Sequence, residues 1–186
     1  MKTYILPSLK LTGILIIICA VIYPLLIAGI AKASPGRGKG QTIEVHGNVV
    51  GYENIGQNFT DDKYFQGRPS AVNYNAAGSG GSNKGGSNSD YLAAVQSRID
   101  TFLVHNPGIK KTEIPADLVT ASGSGLDPNI SVHAAEIQVP RIAKIRNRKE
   151  TEIYDLIEKQ TEKPLLGLFG PEKINVLKLN IALNTL

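Results

Sequence analysis

The chain has 186 residues, with 20 Lys and Arg against 16 Asp and Glu and a formal net charge of +4. That length suits one modest domain plus an added segment. The positive excess belongs to the N-terminal region. Lys2, Lys10, Lys32, Arg37 and Lys39 all precede the first acidic residue, Glu44, so the part beyond residue 40 carries 15 basic and 16 acidic side chains. A nucleic-acid footprint needs a basic patch in the folded part itself. The one basic run there, "RIAKIRNRK" at 141–149, reads as a helix with a solvated basic face. The single cysteine, Cys19, leaves the rest of the chain without a disulfide or a thiolate metal site.

Leu11 to Ala31 is a run of 21 uncharged, mostly aliphatic positions. About 20 such residues in a helix cross a hydrocarbon layer roughly 30 Å thick. The run is longer than a secretory signal core, although Ala31-Lys32-Ala33 resembles a cleavage site. A lipoprotein signal at Cys19 fails because Ile18 stands where a small residue belongs. The reading is a retained single-pass anchor, with a kink expected at Pro24. Ala20, Pro24 and Ala28 recur at four-residue steps and form a candidate partner-binding side, since small residues let membrane helices approach closely. Basic residues lie on both flanks of the run, so charge leaves its direction open.

Residues 32–41 read as a linker, and "TIEVHGNVVGY" as two strands around a turn at Gly47-Asn48. Residues 53–90 have little helical period. Disorder predicts few aromatics, so Phe59, Tyr64, Phe65 and Tyr74 mark the first half as packed and as a candidate partner-binding surface. From Tyr91, the residues Leu92, Val95, Ile99, Phe102 and Leu103 define one helical face, with Asn88 or Ser89 as cap and Asn106-Pro107-Gly108 as stop. "IPADLVTASGSG" reads as extended chain entering a glycine turn. Ser131 caps a second helix, which Pro140 kinks or splits. Thr151 to Thr161 is a third helix, and "INVLKLNIAL" at 174–183 a final strand running into a helical turn. The fold class is α+β: one N-terminal transmembrane helix, then a small domain.

No catalytic motif closes. "SGGSN" at 79–83 is rich in glycine, but a phosphate loop started at Gly78 meets Asn83 in place of its second glycine and Gly85 in place of its hydroxyl. "GSGLDP" at 123–128 places Pro128 where a dinucleotide fingerprint needs glycine. Neither Ser82 nor Ser122–Ser124 fits a nucleophile elbow. His46, His105 and His133 lack metal-ligand spacing, and no metal site is assigned. Asp61-Asp62 reads as an exposed turn. Asn58-Phe59-Thr60 and Asn129-Ile130-Ser131 are formal glycosylation sequons short enough to arise by chance.

Four blocks carry a resemblance: "GQNFTDDKYFQGRPSAVNYNAAGSGGSN" (56–83), "DLVTASGSGLDPNIS" (117–131), "QVPRIAKIR" (138–146) and "INVLKLNIAL" (174–183). Together they resemble the C subunit of the Kdp-type potassium-transporting ATPase. The resemblance implies a non-catalytic accessory subunit of a high-affinity potassium pump in the bacterial plasma membrane, needed for assembly and acting as a catalytic chaperone that raises ATP affinity. The implied partners are a channel-like potassium translocator, a P-type ATPase catalytic subunit and a small membrane subunit. It further implies residues 1–10 as a cytoplasmic tail, 11–31 as the span, 32–41 as the linker and 42–186 as an extracytoplasmic domain. No cofactor is tightly bound on this reading, and ATP is met through the complex. Direct nucleotide contact would fall to Ser79, Gly80, Gly81, Ser82 and Asn83, whose backbone is rich in donors. An external domain does not meet cytoplasmic ATP, so the same loop is favoured as a docking or structural element. The alternatives are a membrane-anchored serine hydrolase and a free-standing extracytoplasmic ligand-binding module.

Overall fold

The computed structural model describes residues 2–186, in two units that part between Thr42 and Ile43. In the first unit, α1 (Lys2–Ile16), a π turn (Ile17–Ile22) and α2 (Tyr23–Ala31) follow one another without a break. Tyr4–Ala31 gives 28 residues of apolar helix, long enough to cross a membrane. None of its side chains is buried by protein. The π turn explains how Pro24 is tolerated. Proline has no N–H to give to the turn before it, and here the ladder widens just ahead of it, with the Tyr23 N–H donating to the Ile18 carbonyl. The linker is more ordered than its composition suggests: it makes two successive tight turns, the Arg37 N–H donating to the Ser34 carbonyl and the Lys39 N–H to the Gly36 carbonyl, with Gly36 and Arg37 at φ 79° and 51°.

A hairpin, β1 (Thr42–Val45) and β2 (Asn48–Tyr52), begins at this boundary and lies in the second unit from Ile43 on. Its turn is His46-Gly47, one residue earlier than predicted. Both residues have positive φ, 51° and 80°, as a two-residue type I′ turn requires. The chain then runs without helix to α3 (Ser89–His105), capped by the Asn88 side chain accepting from the Tyr91 N–H. The predicted apolar face of α3 is only partly covered. Phe102 is buried, whereas Leu92 keeps 52% of its surface exposed.

Ser131 caps α4 (Val132–Glu136) through the Ala134 N–H, and Pro140 sits in the first turn of α5 (Val139–Arg146), so the predicted helix is two short ones. Next come α6 (Glu150–Gln160), β4 (Thr161–Glu162), β5 (Lys173–Asn175) and α7 (Val176–Leu183). β5 is the centre of a three-stranded antiparallel sheet. It pairs with β3 (Asn129–Ile130) through Ile130↔Ile174 and with β4 through Thr161↔Ile174. Two expectations are corrected here. "IPADLV" contains a 3₁₀ turn at Ala116–Leu118 rather than extended chain, started by Pro115, whose carbonyl accepts from the Leu118 N–H. "INVLKLNIAL" is the last two residues of a three-residue strand and then two turns of helix. Asn175 caps that helix through the Lys178 N–H, and Val176, Leu179, Asn180 and Leu183 fall on its buried side.

The core lies where α4–α7 meet this sheet. Ile130, Val139, Ile142, Ile153, Ile157, Ile174, Leu179 and Leu183 are all buried there, joined by Phe65 from the irregular segment and Phe102 from α3. Burying each such side chain contributes about 1.5–3 kcal/mol. The irregular stretch is thus part of the core, as its aromatics suggested.

Candidate functional site

Three buried polar side chains hold the irregular segment in place. Asn180 on α7 is 2% exposed. Its Oδ1 accepts from the Phe65 N–H at 2.8 Å and its Nδ2 donates to the Phe65 carbonyl at 3.0 Å. Gln138, fully buried before α5, treats Gln66 the same way: Oε1 accepts from the Gln66 N–H at 2.9 Å, and Nε2 donates to the Gln66 carbonyl at 3.2 Å. Two side-chain amides therefore replace a strand partner for a segment that has none. Buried backbone groups must be paired, and here the pairing comes from helices.

Arg141 completes the set and corrects the reading of "RIAKIRNRK" as a solvated basic face. It is 7% exposed. Its guanidinium donates to Asn106 Oδ1 at 2.9 Å, to Gln138 Oε1 at 2.8 Å, to the Tyr64 carbonyl at 3.1 Å and to the Asp62 carbonyl. Burial pulls its pKa down, an effect that the Asp62 and Asp61 carboxylates oppose. Arg146 donates to the Lys63 carbonyl at 2.8 Å and lies 5.1 Å from the centre of the Tyr64 ring. Asp61 pairs with Lys63 at 2.9 Å and Asp62 faces His105 Nδ1 at 3.0 Å, so neither is left as a free turn carboxylate. Among the described residues no group of three His, Cys, Asp or Glu is placed to hold a metal ion.

The four predicted aromatics have different fates. Phe65 has no exposed surface and is core. Phe59 packs on the core and leans on Tyr64, the ring centres 5.9 Å apart. Tyr74 is half-buried; its hydroxyl donates to the Arg68 carbonyl, and burial raises its pKa. Partly accessible Phe59, Tyr64 and Tyr74 can offer surface to a partner, while Phe65 cannot.

The glycine-serine loop is docked on the second glycine turn. The Gly80 N–H donates to the Ser124 carbonyl at 2.8 Å, and Ser79 Oγ donates to the same oxygen at 3.0 Å. A Cβ on Gly81 would stand 3.1 Å from the Gly123 carbonyl oxygen, and one on Gly125 would stand 2.7 Å from the Gly80 carbonyl oxygen. Gly125 has φ 66° and Asn83 φ 53°, so the left-handed positions flank the Gly80-Gly81 pair without including it. Ser70 Oγ donates to the Gly125 carbonyl at 2.6 Å and accepts from the Tyr74 N–H at 2.9 Å, which ties the aromatic segment to the same turn. Arg68 and Asp127 pair across it at 3.0 Å. Ser82 and Asn83 are exposed and complete the predicted loop. Ser122 Oγ accepts from the Gly125 N–H at 2.9 Å, and Ser124 Oγ from the Leu126 N–H at 3.1 Å. These hydroxyls serve the turn, and among the described residues no histidine is hydrogen-bonded to either.

Ala20 lies in the π turn, and Pro24 and Ala28 lie in α2. Four residues of α-helix overshoot one full turn.

Comparison with known proteins gives one consistent result. A family described as "KdpC: K+-transporting ATPase, c chain" matches residues 5–185. The chain is similar to the potassium-transporting ATPase KdpC subunit of Flavobacterium johnsoniae, 60% identical over 178 residues covering 96% of both chains. It is similar to that of Flavobacterium psychrophilum at 59% identity, again over 96% of both. The Bacteroides fragilis counterpart is 49% identical over all of this chain and 98% of its own length. The four sequence blocks, the apolar N-terminal helix and the helix–sheet domain behind it are accounted for together: the chain belongs to the KdpC family, the c chain of K+-transporting ATPases.

Proposed function

We propose that the chain works as the non-catalytic accessory subunit of an ATP-driven potassium uptake pump, anchored through α1 and α2, with the domain beyond residue 41 docked on partner subunits. The observation that carries this reading is the family match across residues 5–185. The residues agree with it. The sequence has no Asp-Lys-Thr-Gly-Thr phosphorylation motif, so ATP chemistry falls to another subunit. One apolar helix does not enclose a transport path by itself.

The proposed partners are a channel-like translocator, the P-type catalytic subunit and a small membrane subunit. The small side of the anchor, Ala20, Pro24 and Ala28, meets a partner span. Phe59, Tyr64 and Tyr74 and the 79–83 loop belong to a docking surface. The N-terminus is placed in the cytoplasm and the domain outside; this follows the family resemblance, because the charges flanking the span are balanced. The chaperone effect on ATP affinity is then indirect, transmitted through the assembled complex.

Purification through a tag on this chain tests the reading. Three further pump subunits should co-elute in detergent. A hydrolase or a free ligand-binding module would elute alone, and that result would overturn the proposal. The anchor has its own test. The full-length chain should stay in the membrane fraction after alkaline carbonate washing. Recovery of a soluble form beginning at Ser34 would show cleavage after Ala33.

A further inference from the structure

Between β4 and β5 the chain makes a tip unlike the rest of the domain. Residues 164–171, "PLLGLFGP", contain no polar side chain. Leu165, Leu166, Leu168 and Phe169 keep 70%, 81%, 80% and 64% of their surfaces exposed. Scattered single apolar residues on a surface need no explanation, but four in a five-residue stretch do. The tip is a closed structure. Leu165 and Phe169 exchange both backbone hydrogen bonds at 3.0 Å, and the Leu168 N–H donates to the Leu165 carbonyl at 3.1 Å. Leu166 and Gly167 sit at φ 55° and 71°, the two left-handed central residues of a type I′ turn. Leucine seldom adopts that conformation, and here it turns a large apolar side chain outward where asparagine or aspartate would be the easier choice.

Below the tip the chain changes character abruptly. Glu162 and Lys163 on one arm and Glu172 and Lys173 on the other form a charged collar of zero net charge. Glu162 and Lys173 are cross-strand neighbours whose side chains pair at 3.4 Å. An exposed apolar turn above a neutral polar collar fits a medium that closes around it from every side. A protein partner would need a preformed pocket for the turn, and four exposed side chains are few against the about 20–30 residues a side that a stable interface buries. Lipid acyl chains make no such demand, and a collar without net charge needs no anionic headgroups.

We propose that the Leu165–Phe169 turn is a membrane-inserting tip that dips into the interfacial region of the bilayer and gives the domain a second attachment. This rests on the anchor reading above, which makes the bilayer a permanent neighbour: the ten linker residues 32–41 span at most about 35 Å when extended. A weak, reversible insertion is enough under such a tether, because the second attachment is intramolecular.

The chain contains no tryptophan, so a single introduced indole reports its own surroundings. Leu168→Trp puts this reporter on the tip, at an exposed position that does not touch the core. The full-length chain is reconstituted in phosphatidylcholine vesicles, with and without bromine on the acyl chains. The expected result is blue-shifted emission from the tip reporter, several-fold stronger quenching in brominated vesicles than in unbrominated ones, and protection from aqueous iodide. Adding Leu166→Asp, which the left-handed position accepts, should return the tip reporter to water and to iodide. A Leu92→Trp control on α3 should be open to iodide throughout. Ile18→Trp, in a separate variant, reports on the anchor. If the anchor reporter is quenched by bromolipid and the tip reporter only by iodide, the tip proposal is overturned while the anchor stands. In that case, shielding of the tip reporter only in the assembled pump would identify a protein site instead. If the tip reporter is quenched by bromolipid and the anchor reporter is not, the tip binds lipid and the anchor reading fails. If neither is quenched by lipid, both are overturned.

Discussion

Asn180→Leu should lower the thermal midpoint of the chain by roughly 5–20 °C, with the branching of the side chain kept. The substitution keeps the apolar packing of α7 and removes both hydrogen bonds to Phe65. That residue has no exposed surface, so its N–H and carbonyl have no water to turn to. Each buried group left unpaired costs about 1–3 kcal/mol, giving about 2–6 kcal/mol for the pair. A domain of this size has about 5–15 kcal/mol in total. Gln138→Leu should act similarly through Gln66, and it also leaves the Arg141 guanidinium one acceptor short. Circular dichroism melting of the full chain in detergent measures both. A midpoint within about 2 °C of the unsubstituted chain would show that the segment around Phe65 is not held by these amides.

What could be read from the sequence follows from the range of the signals. The long apolar helix at the N-terminus was legible because its evidence is local: an uncharged run of the right length. So were the Asn88 and Ser131 caps and the break at Pro140, each decided within a few residues. The turn of the first hairpin was misplaced by one because Gly47 can occupy either position of a two-residue turn, and only the left-handed φ of His46 settles it. Asn180, Gln138 and Arg141 left no local trace. Their partners lie 115, 72 and 79 residues away, and most of those partners are backbone groups that every residue carries. A buried arginine among apolar residues looks, in sequence, like an amphipathic basic helix. The strands β3, β4 and β5 are two or three residues long and too short to show alternation. Phe65 was grouped with a surface cluster for a related reason: aromatics in an irregular stretch show that something is packed, but not which ring faces inward.

Gly125→Val should abolish recovery of the assembled pump through a tag on this chain, whereas Gly80→Val should leave both assembly and the pump's apparent ATP constant within about twofold of normal. The two glycines touch the same junction with different tolerances. At Gly125 a Cβ would stand 2.7 Å from the Gly80 carbonyl oxygen and 2.7 Å from a Val72 methyl, at a φ of 66° that β-branched residues avoid. At Gly80 the nearest atom is a Val72 methyl at 3.7 Å, ordinary contact, with φ outside the left-handed region. Valine at position 125 therefore pushes the 79–83 loop away from the 123–125 turn, and with it the Ser70–Tyr74 segment bonded to that turn. If these loops form a docking surface, its shape is lost and assembly fails. If instead the amides of Gly80 and Gly81 bind ATP phosphate, the order reverses: Gly80→Val, which folds normally, should raise the apparent ATP constant several-fold in fully assembled pump, because a branched side chain obstructs close approach of the anion. The docking outcome is expected on the present geometry, since the Gly80 N–H is already committed to the Ser124 carbonyl at 2.8 Å. ATPase activity against ATP concentration, on preparations matched for subunit content, separates the two, and a raised constant with normal subunit recovery would mean that the loop reaches nucleotide.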